Sequence, residues 1–231
     1  MTNTKTKRNA NLDDGCNPEL AVNAIFDGIM GIPTIHAPNP KFIPKGITPF
    51  SQLHRAPTDH EAIGFFEKDP KFSQVLIDPE ANIQDFLRFK GIISIDCSLY
   101  RDAPLATHVI NIYRSRLIGT YYQSKGVNVI PLVRWGDERT YTTSYFPEKV
   151  AFLGIEKNSM IAIGTYGCIG GIGNKYHFKA GLDAMLMELT PSTVLVYGSM
   201  PQSVFGPYIH YTKFIQFDDW TTRMKGGIQN G

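Results

Sequence analysis

What this chain lacks narrows it first. Its three cysteines, Cys16, Cys97 and Cys168, are odd in number, widely spaced and form no C-x-x-C pair. That argues against a disulfide framework or a structural zinc site and fits a reducing compartment. No apolar run approaches the ~20 residues of a spanning helix. The amino terminus, MTNTKTKRNANLDDGCNPE, has no apolar segment of a secretion signal. A cytoplasmic location without a membrane partner is therefore expected. A polybasic stripe is also missing, and the formal net charge is only +2, so broad non-specific nucleic-acid binding is not expected. No complete catalytic motif is present. What remains is a 231-residue chain with 42% hydrophobic and 19% charged residues, which excludes global disorder and allows one sizeable core.

Polar tails at 1–17 and 221–231 bracket a single domain over 18–220. Lys5, Lys7 and Arg8 in the first tail read as solubilising charges. Residues 18–31, PELAVNAIFDGIMG, predict a short helix closed by glycines. Prolines 33, 38, 40, 44, 49 and 57 then predict a Pro-rich N-terminal extension of turns and short edge strands at Ile32–His36 and Gly46–Ser51. From residue 62 onward, strand and helix alternate. AIGFFE (62–67), IISID (92–96), VNVIPLVRW (127–135), SMIAIGTYG (159–167) and TVLVYGSMP (193–201) read as buried strands, and IHYTKFIQF (209–217) as a late one. Pro131 is awkward inside its strand. PEANIQDFLRFK (79–90) reads as helix. So does the segment after Asp102, with Asp102 as its N-cap, and so does YHFKAGLDAMLMEL. Strand starts near 92, 128, 159 and 193 are one βα unit apart. The expected fold is α/β: an incomplete or distorted β/α (TIM-like) barrel with mostly parallel strands, favoured over an open doubly wound sheet.

Ligands of parallel α/β folds bind just past the carboxyl ends of the strands. The acids there are Asp69, Asp96 and Asp137, with Glu67 and Asp102 nearby. Converging carboxylates can hold Mg²⁺ and act on a phosphoester, with Asp96 and Asp137 as candidate ligands and all three aspartates as catalytic candidates. The bland alternative is N-capping and turn formation. Arg101 and Arg134 suit a phosphate or a salt bridge to one of these acids. Trp135 can stack on a base or cap the fold. Ser98, Thr165 and Tyr197, with Tyr166 and Ser199, are candidate hydrogen-bonding groups. The strand-to-helix loop bearing Gly170, Gly171, Gly173 and Lys175 offers an anion backbone amides and a helix dipole, or is a surface loop. It is neither a Walker A loop nor G-x-G-x-x-G. Arg114 and Arg116 follow Asp102 by 12 and 14 residues, roughly 18–21 Å down a helix, and read as a solvated or subunit-contact face. Cys97, Cys168 and His177 allow a Cys–His pair, but buried small hydrophobes are the stronger reading of the thiols.

SLYRDAP (98–104), VIPLVRWGD (129–137) and LTPSTVLVYGS (189–199) resemble segments of an uncharacterised bacterial, plasmid and phage family, domain-of-unknown-function family 4417. The resemblance covers roughly residues 30–200. The family pattern has a proline-aspartate-phenylalanine step where this chain has Ile95, Asp96 and Cys97. It implies a mobile-element or phage context and no reaction. Three functions then compete. The first is a pocket recognising a phosphate-bearing ligand, a nucleotide or nucleic-acid end, with Mg²⁺-assisted phosphoester or phosphodiester hydrolysis as its enzymatic form. The second is a non-catalytic phage factor that sequesters a small molecule or blocks a host protein. The third is a homo-oligomer whose interface uses Tyr113, Tyr121, Tyr122, Arg114 and Arg116.

Overall fold

Short apolar segments punctuated by glycine and proline set the architecture. The structure is a computed structural model and describes residues 16–228 apart from 22, 40, 41 and 56–59. Of the tails expected at 1–17 and 221–231, residues 1–15, with Lys5, Lys7 and Arg8, and 229–231 lie outside the described residues, whereas Trp220–Ile228 forms a helix.

At the start, PELA forms a single 3-10 turn at Pro18–Ala21 rather than the helix expected over 18–31. The chain then makes a small antiparallel ribbon of β1 (Phe26–Asp27) and β2 (Ile32–Pro33). Gly28 and Gly31 permit its turn through positive φ. β3 (Gly46–Pro49) and β4 (Glu61–Gly64) follow, then the short helices α1 (Ser73–Ile77) and α2 (Ile83–Phe86) and strand β5 (Gly91–Ile93). The long helix α3 (Leu105–Ser124) leads to β6 (Val129–Ile130) and the one-turn helix α4 (Glu138–Tyr141). β7 (Met160–Gly164), α5 (Gly171–Leu189), β8 (Thr193–Tyr197), α6 (Gln202–Phe205), β9 (Lys213–Phe217) and α7 (Trp220–Ile228) complete the fold. None of these helices is long and apolar enough to cross a membrane.

The strands are parallel, but they do not make the barrel the alternation suggests. They divide into a four-stranded sheet, β3-β4-β5-β6, and a three-stranded sheet, β7-β8-β9. No closed barrel forms among the described residues. Pro131 supplies the physical reason for the split. It has no N–H to continue the ladder, so β6 ends at Ile130. The Leu132 N–H turns to the Ser94 hydroxyl at 2.8 Å. Past the proline, the backbone pairs with the second sheet, among the described residues, through the isolated bridge Leu132–Ala162.

Each sheet packs helices on its outer face. Phe65, Phe72, Phe86, Ile118 and Tyr122 fill the core beside the first sheet. Ile161, Ile163, Leu182, Met185 and Val196 fill the core beside the second. Ile47, Ile93, Ile130, Leu132, Met160, Ala162, Leu195 and Phe217 share one inner layer. Each fully buried isoleucine or leucine contributes about 1.5–3 kcal/mol. α7 is tied to the first sheet by a guanidinium fork from Arg223 to Glu61. Burial alone would raise the Glu61 carboxyl, but hydrogen bonds from Arg223 and Thr48 hold it below its ordinary value.

Candidate functional site

Four segments leave the carboxyl ends of their strands on one side and enclose a cavity of about 450 Å³. Phe66–Lys68 follows β4, Asp96–Arg101 follows β5, Val133–Gly136 follows β6 and Tyr166–Cys168 follows β7, while Asn174, His177 and Phe178 come from α5. The floor is apolar. Phe66 stacks on Tyr197 at 4.5 Å and 8°. The glycines make room for that ring: a Cβ on Gly164 would stand 2.7 Å from it. Trp135 packs against Phe178 at 5.1 Å and sits over Gly181, where a Cβ would stand 2.2 Å from the indole nitrogen. The indole is therefore a wall element fixed by α5.

Asp96 is the buried acid of the cavity, 4% exposed. Both its oxygens accept from the Arg134 guanidinium, through Nε and, at 2.5 Å, through Nη2. Burial pushes the Asp96 carboxyl above its ordinary value, and the charge of Arg134 opposes that shift. Arg134 is partly buried, which disfavours its charge, yet Asp96 holds it protonated. Its Nη1 reaches the Cys168 sulfur at 3.5 Å. Asp69 stands behind this pair and does not line the cavity. It accepts from the Ser98 hydroxyl at 2.6 Å and the Ser98 amide at 3.2 Å, which fixes the turn after β5.

Asp137 belongs elsewhere. It caps α4, accepting from the Arg139 amide at 3.1 Å. It also forms a fork with the Arg139 guanidinium, at 2.9 Å to Nε and 2.6 Å to Nη2. The Arg139 hydrogen bonds hold its carboxyl below the ordinary value despite burial. Asp96 and Asp137 thus face different arginines rather than one another. Among the described residues, no group of three or more His, Cys, Asp or Glu is arranged to hold a metal ion.

Of the other expected site residues, Ser98, Arg101 and Trp135 line the cavity. Arg101 is lightly held, by Asn174 at 3.4 Å and by the exposed Asp102 at 3.5 Å. Thr165 does not line it; the hydroxyl donates to the Ser199 carbonyl at 2.8 Å and ties β7 to β8. Tyr197 lies under Phe66, and its hydroxyl accepts from the Trp220 amide at 2.9 Å. The glycine-rich stretch is already helix: α5 begins at Gly171, after Gly170 as a cap with no side chain to offer. Gly170, Gly171, Gly173 and Lys175 lie beside the cavity and do not line it; Asn174 does. Asp102 does not cap α3, whose first residue follows Pro104. It sits at φ 68, a left-handed position that short polar residues tolerate. Cys97 is buried, and its thiol is pushed up by burial and then by the charges of Asp69 and Asp96, so it is an inert core group.

Arg116 overturns the expectation of a solvated face. It is 2% exposed. Its guanidinium donates to the carbonyls of Leu132 at 2.9 Å, Leu153 at 3.0 Å and Ala151 at 3.2 Å. Burial lowers its pKa to about 10, so it stays charged at neutral pH. Among the described residues no acid pairs with it. A small cavity beneath the main one is lined by Asp96, Arg134 and Arg116 together. The signal was available: Arg116 lies four residues after Ile112 and three before Gly119, both on the buried side of α3. Lys68, four residues past the end of β4, also lines the cavity and is not among the expected site residues.

A family model described as Domain of unknown function (DUF4417) matches residues 24–218. The Gene 1 protein of Mycobacterium phage D29 is 32% identical over 139 residues, which are 60% of this chain and 49% of that protein. The Gene 1 protein of Mycobacterium phage L5 is 30% identical over 139 residues, which are 60% of this chain and 58% of that protein. The matched segment thus spans about half the length of these curated relatives. No solved structure matches the chain.

Proposed function

The chain belongs to the family described as Domain of unknown function (DUF4417), which brings a phage setting and no reaction, and we propose from the site itself that its cavity recognises a phosphate-bearing ligand. One observation carries this reading: the cationic groups around the cavity outnumber the acids able to neutralise them. Lys68, Arg101 and Arg134 line the cavity against two acids, Glu67 and Asp96, and Asp96 is taken up by Arg134. Glu67 is engaged by the Ser51 hydroxyl at 2.6 Å and by Lys71 at 2.9 Å. Lys68 has no ion pair among the described residues, and Arg101 has only exposed, long contacts. An anion entering the cavity would gain charge-assisted hydrogen bonds from Arg101 and Lys68 without displacing a buried acid. The volume suits a nucleotide-sized molecule.

The reading is recognition rather than hydrolysis. Asp96 can offer its carboxylate to a cation such as Mg²⁺ only by releasing Arg134, which would strand a buried guanidinium. A thermal-shift screen of inorganic phosphate and nucleoside mono-, di- and triphosphates, with and without Mg²⁺, tests it. The expected result is stabilisation by at least one phosphate ligand that Arg101→Ala and Lys68→Ala each reduce. No stabilisation by any of them contradicts the reading; stabilisation that requires Mg²⁺ would restore the hydrolytic form.

A further inference from the structure

The mouth of the cavity carries large aromatic side chains that the phosphate reading leaves unused. Tyr100, two residues before Asp102 in the loop after β5, is 71% exposed. Tyr166, in the loop after β7, is 67% exposed. Both line the cavity. Arg101, next to Tyr100, reaches α5, the helix that follows the Tyr166 loop: its Nη1 approaches Asn174 Oδ1 at 3.4 Å. Tyr176, 70% exposed, stands edge-on to His177, another lining residue, with ring centroids 5.4 Å apart. None of these three hydroxyls has a hydrogen-bond partner among the described residues, so the rings are not held out by a polar tether. Lys68 and Arg101 lie on the wall beside them.

Aromatic faces alternating with cations at the mouth of an anion-binding cavity match the chemistry of an unpaired nucleic-acid strand. Exposed rings stack on bases that are not in a duplex, and the cations follow the backbone. Duplex binding would instead call for an extended basic surface, which a net charge of +2 does not supply. Resting on the phosphate reading above, we infer that the ligand is the phosphorylated end of a single-stranded nucleic acid. The terminal nucleotide enters over Phe66, and the following bases stack on Tyr100 and Tyr166 outside.

The test compares chain lengths on the full protein. Thymidine monophosphate and a hexathymidylate, each carrying its phosphate at the 5′ or the 3′ end, are titrated against wild type, Tyr100→Ala, Tyr166→Ala and Tyr100→Phe, with inorganic phosphate as control. One of the two phosphorylated hexamers binds roughly tenfold or more tighter than its mononucleotide. Each alanine variant weakens the hexamer more than the mononucleotide and so removes much of that advantage, and Tyr100→Phe keeps it because the ring is what stacks. Thermal melts confirm that these exposed substitutions leave the fold intact. A hexamer that binds no tighter than its mononucleotide overturns the strand inference and leaves the phosphate reading standing. Failure of nucleotides, oligonucleotides and inorganic phosphate alike overturns both.

Discussion

Two carboxylate–guanidinium forks in this molecule are alike in composition and differ in what they do. In Asp96–Arg134 and in Asp137–Arg139 the acid side chain is 4% exposed and the arginine 25%. The first joins residues 38 apart in sequence and the second residues two apart. Asp137 also accepts from two backbone amides, those of Arg139 and Asp102. Asp96 has no acceptor contact beyond Arg134 among the described residues. Burial outweighs Arg134 at Asp96 and shifts its pKa upward, whereas the Arg139 hydrogen bonds, aided by the backbone amides, outweigh burial at Asp137 and shift its pKa downward. A buried acid with one partner belongs to a cavity wall, whereas an acid with several local donors is a helix cap.

Removing each arginine breaks the comparison most sharply. Arg134→Ala leaves Asp96 buried without a partner and should cost about 3–5 kcal/mol in urea unfolding. Arg139→Ala leaves Asp137 with its backbone amides and should cost far less. Equal losses would mean that the forks are equivalent. Arg116→Met comes next. It strands three carbonyls while removing a buried charge, and a loss of about 2–3 kcal/mol is expected, together with weaker anion binding. Smaller again is Asp137→Ala, about 1 kcal/mol, the usual value of an N-cap.

The pH dependence separates the forks by sign. Asp96 has a raised pKa, so its contribution to stability is full below the ordinary carboxylate pKa and is lost as pH rises through the raised value. Asp137 has a lowered pKa, so its contribution is full above the ordinary value and is lost as pH falls through the lowered one. Urea midpoints from pH 3 to 7, each referred to the matching Asp→Asn variant, should therefore slope in opposite directions. Parallel slopes would show that the two acids share one environment.

Some of this was legible in the residues. Asp96, Ser98, Arg101, Arg134 and Trp135 were readable because strand carboxyl ends gather in parallel folds, and all five line the cavity. Asp137 was read alongside Asp96 because both follow an apolar strand. N-capping, the bland alternative for these aspartates, is the role Asp137 has at Glu138–Tyr141, a single turn that leaves no periodicity to favour it over a ligand. The strand spacing suggested a barrel because it reports βα units, whereas the division into two sheets depends on one missing N–H at Pro131. Distance along α3 separates Arg116 from the strand ends, but the face of the helix decides its burial. The family resemblance seen in 98–104, 129–137 and 189–199 agrees with the match over 24–218.

The central claim is that the Asp96–Arg134 fork serves the cavity and the Asp137–Arg139 fork serves the helix. Calorimetric titration of thymidine monophosphate into Arg134→Lys and Arg139→Lys tests it with charge preserved in both. The account predicts at least tenfold weaker binding for Arg134→Lys, which cannot hold a bidentate fork, and wild-type affinity for Arg139→Lys. Equal affinities in the two variants would contradict it.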